Sequence, residues 1–367
     1  MTKLTDWLGR AVPQTSDLHP YVPGKPLEQL LRETGLTEAI KLASNENPYG
    51  PPPAAIKAMQ SACTEVHRYP DGDSTQLKNA LAKHHHIDSS RLLLGNGSNE
   101  VLELIIRCFA NNDAQVIYSR HAFMVYALAT VAAGAHGVAV DDDETLGHDL
   151  SAMLAAVSQY TRIICIANPN NPTGTLLDNN KIQSFLDQLP RDMVVIIDEA
   201  YHEYVADISS DSIHSLYHPG LVITRTFSKA YGLAGCRVGY AIATPDLIAC
   251  INRYREPFNI NSIAQAAACA ALSEQTWLTV HVAQALGERD RLELALQERG
   301  LSFGHSYGNF VLLRHEKADV LHQKMELKGV ILRPLASYGM ADFLRVSVGT
   351  PEENSQFIHA LDAVLAS

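Results

Sequence analysis

The stretch "MVVIIDEAY" (residues 193–201) joins a continuous apolar run to an acidic residue, Asp198. Apolar residues at successive positions predict a strand buried on both faces, which is typical of a parallel sheet covered by helices. Burial of an unpaired carboxylate is unfavourable, so Asp198 at the end of such a strand needs a partner. The alternative is that Asp198 caps the helix that follows.

Strands and helices alternate outward from this stretch. β-rich runs are predicted at 91–95, 115–119, 136–140, 162–167, 193–198, 221–226 and 237–243. Helices are predicted between most of these runs, at 99–110, 123–133, 149–158 and 179–188. The alternation predicts an α/β fold whose large domain contains a mostly parallel sheet flanked by helices.

The two ends of the chain differ from this pattern. Residues 1–50 are rich in proline and glycine and predict an extended arm, whereas a long helical stretch near 261–299 leads into short strands and a final helix. We therefore expect an N-terminal arm over 1–47 that joins the smaller domain, a large α/β domain over 48–270, and a smaller C-terminal α+β domain over 271–367.

The composition limits the possible partners. Hydrophobic residues make up 46% of the 367 residues and charged residues 19%, which allows a large core. The net charge of −11 argues against nucleic acid or an anionic membrane as the main partner. No run approaches the roughly 20 apolar residues that span a bilayer. The six cysteines are scattered without a C-x-x-C pair, which favours reduced cysteines in a cytoplasmic protein.

The motif "LLLGNGSNE" (92–100) places a helix start directly after a predicted strand. The free N–H groups of that helix, near Ser98 and Asn99, would suit a phosphate. Its two glycines resemble part of a dinucleotide-binding fingerprint, but Glu100 stands where the third glycine belongs. A simple capped helix is the alternative interpretation.

The motif "ANPNNPTG" (167–174) follows another predicted strand. Its two X-Pro bonds and final glycine predict a stiff turn that presents Asn171 at the strand end. Ligands of open α/β sheets bind beyond the carboxyl ends of the strands, so Asn171 is a candidate binding residue. An ordinary turn would have the same composition.

The motif "TFSKAYGLAGCRVGY" (226–240) contains a single lysine, Lys229, between a strand and a glycine-rich stretch. A lysine in a desolvated site has a lowered pKa and can act as nucleophile and base. Thr226, Ser228 and Arg237 could form a second anion-binding wall beside it.

Together these motifs fit the requirements of pyridoxal phosphate. That cofactor needs a lysine for a Schiff base, a carboxylate at its ring nitrogen, donors for its phenolic oxygen, a phosphate cup and an aromatic cover. The residues available for these roles are Lys229, Asp198, Asn171 with Tyr201, Ser98 and Asn99 with Ser228 and Arg237, and Phe123.

The ordered motifs "NPNNPTG", "DEAYHEY", "TFSKAYGLAGCRVGY" and "FLRVSVGT" closely resemble the fold-type I aminotransferases, and within them the histidinol-phosphate aminotransferases. The resemblance implies that Lys229, Asp198 and Tyr201 are catalytic. It implies a cofactor site made by Ser98, Asn99, Phe123, Asn171, Asp198, Tyr201, Thr226, Ser228, Lys229 and Arg237, with Tyr69 reaching the phosphate from the other subunit of a homodimer. The implied substrate residues are Arg345, Arg333, Tyr21 and Asn47.

The resemblance also implies a reaction. It is the transfer of an amino group between L-histidinol phosphate and 2-oxoglutarate, which gives imidazole-acetol phosphate and L-glutamate. Phe123 stands where many relatives have a tyrosine, and residues 333–345 differ from several relatives. An aromatic aminotransferase is therefore the first alternative, and a phosphothreonine decarboxylase is a more distant one. A dehydrogenase or a non-catalytic cofactor-binding protein explains fewer of the motifs.

Two histidine-containing stretches are candidate metal sites. His202 and Glu203 are adjacent, but no second histidine follows at ligand spacing, so no metal site is expected there. The run His84–His86 predicts a solvated helix end.

Overall fold

A computed structural model describes residues 7–18, 24–301 and 304–366. The strands of these residues are β1 (Ile40–Lys41), β2 (Leu92–Gly95), β3 (Gln115–Ser119), β4 (His136–Val140), β5 (Thr161–Ala167), β6 (Val194–Asp198), β7 (Leu221–Thr226), β8 (Gly239–Ile242), β9 (Phe310–Arg314), β10 (Val330–Ile331), β11 (Arg333–Pro334) and β12 (Phe343–Ser347).

The same residues form α-helices on both sides of these strands. They are α1 (Leu27–Thr34), α2 (Pro53–Ala62), α3 (Thr75–His85), α4 (Ser98–Phe109), α5 (Val125–Ala132), α6 (Leu150–Ala155), α7 (Asn179–Leu186), α8 (Ser212–Ser215), α9 (Pro245–Ile251), α10 (Ser262–Leu272), α11 (Gln275–Glu298), α12 (Ala318–Glu326) and α13 (Pro351–Leu365). Within the described ranges, none of the helices has the length and apolarity to cross a bilayer.

The main sheet has the order β2-β8-β7-β6-β5-β3-β4 within the described chain. Strands β4, β3, β5, β6 and β7 run parallel, whereas β8 is antiparallel to β7 and to β2. All five residues of β6 are buried. Val195 and Ile197 belong to the apolar core on one face, and Val194 and Ile196 to the core on the other. The predicted α/β sheet and the burial of β6 on both faces are confirmed.

The register of the central strands aligns their carboxyl ends. Asp198 at the end of β6 lies opposite Ala167 of β5 and Thr224 of β7. The motifs that follow these strands therefore meet at one edge of the sheet, as the rule for open α/β sheets predicts.

A second core covers a smaller antiparallel sheet of order β11-β12-β9. Strand β1 pairs with β10, and the backbone N–H of Ser347 donates to the carbonyl of Leu42 at 2.9 Å. Ile40 and Leu42 pack in the same apolar core as residues of α11, β9, β12 and α13. The segment around β1 thus packs in the core beside the smaller sheet and is bonded to its strand β12, although the predicted domain boundaries stay a prediction.

Two predictions about local structure need correction. The N-terminal segment is not simply extended, because Leu27–Thr34 form a helix that ends at Gly35 in the left-handed conformation. The helical stretch predicted near 261–299 is two helices, α10 and α11. The backbone N–H groups of Ser273 and Glu274 bond to carbonyls three residues earlier, which closes α10 before α11 begins.

We expect the start of α13 to contribute measurably to stability. The Thr350 hydroxyl accepts from the Glu353 N–H at 3.2 Å, and the Glu353 carboxylate accepts from the Thr350 N–H at 2.8 Å. Replacing Thr350 with alanine should lower the free energy of unfolding by about 1 kcal/mol. Urea unfolding followed by circular dichroism measures this loss. Thr350→Ser keeps the acceptor and should behave like the wild type; equal losses in both variants would contradict the capping role.

Candidate active site

A cavity of about 220 Å³ lies at the carboxyl ends of β5, β6 and β7, beside the smaller sheet. Most of the residues predicted from the motifs line it. They are Ser98, Asn99, Phe123, Asn171, Asp198, Tyr201, Thr226, Ser228, Lys229, Arg237, Arg333 and Arg345.

Two predicted residues that the structure describes, Tyr69 and Asn47, are not among those that line the cavity. Tyr69 is 83% exposed and stacks on Phe258, with 4.8 Å between the ring centroids. The Asn47 amide donates to the Ala230 carbonyl at 2.8 Å, and its oxygen accepts from the Tyr49 N–H at 2.9 Å. These two bonds to backbone groups hold the Asn47 side chain away from the cavity. Tyr21 lies outside the described residues.

The Lys229 amine faces the cavity and donates to the Ser44 carbonyl at 3.1 Å. Burial is the main reason that the pKa of Lys229 is lowered to about 7, and the positive charges of Arg345 and Arg237 lower the pKa further. The charge of Glu46 opposes this change. Near neutral pH, a substantial fraction of the amine is therefore unprotonated and able to act as a nucleophile or a base.

Asp198 is buried at the end of β6 and is held by two hydroxyl donors. Tyr126 donates to one carboxylate oxygen at 2.8 Å, and Thr224 donates to the other at 2.9 Å. Burial raises the pKa of Asp198, and these two hydrogen bonds counteract the rise. A cation placed in the cavity next to this carboxylate would stabilise its ionised form.

The start of α4 and the segment 226–239 form a cup that suits an anion. A Cβ at Gly97 would collide with the Arg237 guanidinium, and a Cβ at Gly239 would collide with the backbone nitrogen of Ser98. The two glycines thus let a helix N-terminus and a guanidinium approach each other. Arg237 also donates to the Ser228 hydroxyl at 3.2 Å. Backbone N–H groups, hydroxyls and a guanidinium together match a phosphate.

Two arginines of the smaller sheet form the opposite wall. Arg333 of β11 and Arg345 of β12 lie directly opposite each other in the antiparallel register, and both are buried. Arg345 donates to the Asn171 side-chain oxygen and, at 2.8 Å, to the Ala43 carbonyl. Like charges opposite each other on a sheet repel, so this pair favours an anion in the cavity.

Asn45 is a site residue that the motifs did not reveal. Its amide donates to the Tyr201 hydroxyl at 2.9 Å. Its backbone has a positive φ of 53° and is fixed by bonds from the smaller sheet: Asn45 N–H donates to the Ser347 hydroxyl at 2.7 Å, and Asn309 donates to the Asn45 carbonyl at 3.1 Å. Burial raises the pKa of Tyr201 to about 12, while Arg345 and the Asn45 bond oppose the rise.

Two other partners were missed, and only one had a signal in the sequence. Thr224 lies opposite Asp198 in register, which the aligned ends of two predicted parallel strands imply. Tyr126 lies in α5, where its hydroxyl reaches Asp198 through the tertiary packing. No pattern in the sequence around Tyr126 marks that contact.

The sequence of this chain is similar to those of known aminotransferases over nearly its whole length. The family model for aminotransferase class I and II matches residues 37–361. The chain belongs to this aminotransferase family. It is 46% identical over 368 residues to "Histidinol-phosphate aminotransferase 2" of Pseudomonas aeruginosa, covering 99% of this chain and 100% of that protein. It is 45% identical to the histidinol-phosphate aminotransferase of Methylobacillus flagellatus, covering 100% and 99%.

A solved aminotransferase structure also superposes on the whole chain. It is histidinol-phosphate aminotransferase from Sinorhizobium meliloti in complex with pyridoxal-5'-phosphate, with a TM-score of 0.89 and 28% identity, covering 100% of this chain and 99% of that one. The predicted aminotransferase resemblance and the predicted fold class are therefore confirmed.

The position of Lys229 predicts an unusual pH dependence for this aminotransferase. In protein freed of cofactor, competitive acetylation of Lys229 should rise with a midpoint near pH 7, because burial and nearby arginines lower the pKa to about 7. Mass spectrometry of the Lys229 peptide, with N-acetyl-lysine as internal reference, measures the midpoint. Arg345→Met should move it upward, since one of the lowering charges is lost. A midpoint close to the reference amine would contradict the prediction.

Proposed function

We propose that this aminotransferase uses pyridoxal phosphate to interconvert L-histidinol phosphate and 2-oxoglutarate with imidazole-acetol phosphate and L-glutamate. The observation that carries the proposal is the cross-strand pair Arg333 and Arg345, which shares one cavity with the Lys229 amine. A reacting amine beside two guanidiniums suits an amino donor with an anionic tail. The names of the full-length relatives at 45–46% identity support the same substrate.

The residues of the cavity fit the cofactor. Pyridoxal phosphate, when bound, supplies a carbonyl that condenses with amines and a ring that takes up electrons from the donor's α-carbon. Asp198 would face the ring nitrogen, Asn171 and Tyr201 would bond the phenolic oxygen, and Phe123 would cover the ring. Five residues would hold the phosphate: Ser98, Asn99, Thr226, Ser228 and Arg237.

Lys229 is the residue that moves protons. With the cofactor bound, its Nζ would take up the proton from the α-carbon of the donor and release it again within the same cavity. A pKa of about 7 suits both steps, because a general base works best when its pKa lies near the working pH. The contact with the Ser44 carbonyl keeps Nζ at the cavity wall.

Asp198 supplies the negative charge that keeps a ring nitrogen protonated. Two unit charges about 4 Å apart attract each other by about 4 kcal/mol at an effective dielectric constant near 20. Since about 1.4 kcal/mol corresponds to a tenfold change in rate, loss of this carboxylate should slow the reaction by orders of magnitude. Tyr126 and Thr224 orient the carboxylate and oppose the rise in its pKa that burial causes.

The arginine pair can serve both half-reactions. Histidinol phosphate presents a phosphate without a carboxylate, whereas glutamate presents carboxylates. Guanidinium groups accept both anions through paired hydrogen bonds. An aromatic amino acid, the substrate of the first alternative, presents a single carboxylate, which carries less negative charge than a phosphate group.

Spectral titration of the holoenzyme tests the substrate. We expect histidinol phosphate, added without acceptor, to bleach the visible absorbance of the bound cofactor at far lower concentration than phenylalanine or O-phosphothreonine. Lys229→Ala should lose turnover while retaining the phosphate cup. A tight response to phenylalanine and a weak one to histidinol phosphate would assign the protein to the aromatic aminotransferases. Release of carbon dioxide from O-phosphothreonine would favour the decarboxylase.

Asn45 should act through Tyr201. Asn45→Gly tolerates the positive φ and removes the side-chain amide, so it loses the bond to Tyr201 and the bond that the amide oxygen accepts from the Ser347 hydroxyl at 2.9 Å. We expect kcat to fall about tenfold through loss of the bond to Tyr201. In a Tyr201→Phe background the same change should cost less than about twofold, because its target is gone. Steady-state kinetics of the four proteins gives this comparison. Equal losses in both backgrounds would show that Asn45 acts by another route.

We also propose that the protein works as a homodimer in the cytoplasm. The exposed stack of Tyr69 on Phe258 supports a partner at this face, since large aromatic side chains left in solvent are typical of interaction sites. Tyr69 of one subunit would then reach the phosphate cup of the other. Such a C2 arrangement makes two equivalent sites, each built from both chains.

A mixing experiment tests the shared site. Lys229→Ala and Tyr69→Ala subunits should each form poorly active homodimers. If Tyr69 serves the other subunit, a mixed dimer has one site with both native residues. Co-refolded equal amounts should then regain about a quarter of the wild-type activity. Activity equal to the average of the two homodimers would mean that Tyr69 does not act across the interface.

A further inference from the structure

A second cavity, of about 290 Å³, lies on the other side of β7 from the first. Alternate side chains of a strand point to opposite faces. Thr224 accordingly bonds to Asp198 and Thr226 lines the first cavity, whereas Arg225 lines the second. Over the described residues, the two cavities share no lining side chain, so the second one belongs to a separate site.

The polar wall of the second cavity carries more negative than positive charge. Arg225 is only 3% exposed and donates from Nε to Glu199 at 2.8 Å and from Nη2 to Asp211 at 2.7 Å. Two carboxylates thus surround one guanidinium, and Asp207 adds a further carboxylate at the exposed rim. The surplus negative charge favours a cation.

Glu203 is the group in this wall that a cation would stabilise. Its Oε2 atom is buried and has no hydrogen-bond partner in the described part of the chain. Burial raises the pKa of Glu203 to about 7. A buried carboxyl oxygen without a partner is unfavourable, and a bound cation would supply both a charge and a donor to it.

The histidines of the cavity do not provide a competing positive charge. His85 Nε2 lies 2.9 Å from the Tyr240 hydroxyl, and burial lowers the pKa of His85 to about 3. Burial and the nearby Arg225 also lower the pKa of His84 and of His202. These rings are therefore neutral at neutral pH. The predicted solvated helix end at His84–His86 is confirmed for His84 and His86, which are exposed, and is wrong for His85, which is buried.

The wall formed by α11 is mostly apolar, with Gln275 and Thr279 as its polar members. Leu278, Val282 and Leu286 line it from one face of α11, spaced four residues apart. An engineered apolar cavity of about 150 Å³ is large enough for benzene. The second cavity therefore has room for a ring and a polar head group. The α11 wall suits the ring, and the acidic wall suits a positive head group.

We propose that this cavity binds a small organic monocation, with an amidinium, imidazolium or ammonium head on Glu203 and an apolar or aromatic body against α11. Where Glu203 holds a proton, binding releases it, because the carboxylate pairs with the positive head. Affinity should therefore rise through pH 7 and level off above it. The other ionisable groups around Glu203 are His84, His85, His202, Glu199, Asp207, Asp211, Arg225, Tyr231 and Tyr240.

Benzamidine is a suitable probe because its amidinium stays charged and does not condense with a carbonyl cofactor as primary amines do. Calorimetric titration of the holoenzyme should show saturable binding, about tenfold tighter at pH 8 than at pH 6, with proton release at the lower pH. Benzoate and benzyl alcohol, of similar shape, should bind far more weakly. These comparisons separate the charge of the head group from the apolar body.

Two variants and a control variant locate the probe. Glu203→Gln keeps the shape and removes the ionisable group, so affinity should fall at least about tenfold. Glu46→Gln removes a carboxylate near the first cavity and should leave benzamidine affinity unchanged. Ala283→Phe fills the second cavity from an exposed position of α11, so it should abolish binding while kcat is unchanged.

Three results would overturn the proposal. They are no saturable binding of benzamidine at millimolar concentration, equal affinity in Glu203→Gln and wild type, and tighter binding of benzoate than of benzamidine. The last result would make Arg225 the anchor of an anion site. If Glu203→Gln fails to fold, unchanged binding in Ala283→Phe overturns the location by itself.

Discussion

The site is organised around one carboxylate at the end of a strand buried on both faces. Asp198 is only 4% exposed, so its ionised form depends on the hydroxyls of Tyr126 and Thr224 and would be stabilised further by a cation in the cavity. The parallel register places the ends of β5 and β7 on either side of it. The turn that carries Asn171 and the loop that carries Lys229 both leave from these ends, so their positions follow from the same pairing.

Sequence patterns revealed the parts of the site that depend on local structure. Apolar runs ending in polar motifs indicate where strands stop, and the carboxyl ends of parallel strands meet at one edge. That reasoning brings Asn171, Asp198 and Lys229 together without any tertiary information. It does not reach Tyr126, whose helix could present any of several side chains to Asp198 until the packing of α5 is known.

Asn45 and His85 show the limits of sequence patterns more clearly. The partners of Asn45 are Tyr201 in the main sheet domain and Ser347 in the smaller sheet, which are remote in sequence from each other and from Asn45. His85 ends a helix in a run of three histidines, and it is buried only because Tyr240 of β8 lies beside it. In both cases the environment of the side chain is created by the packing of distant segments.

The cross-links between residues 43–45 and the smaller sheet also set an order of events during protein synthesis. Asn45 and Ser347 are 302 residues apart, as are Ala43 and Arg345. Contacts of such separation form only after the intervening chain has been made. A growing chain on the ribosome can assemble β5, β6 and β7 and already contains Lys229, but it lacks the arginine pair. The Lys229 amine therefore exists before the arginine wall opposite it, and that wall is completed only after Arg345 has been added.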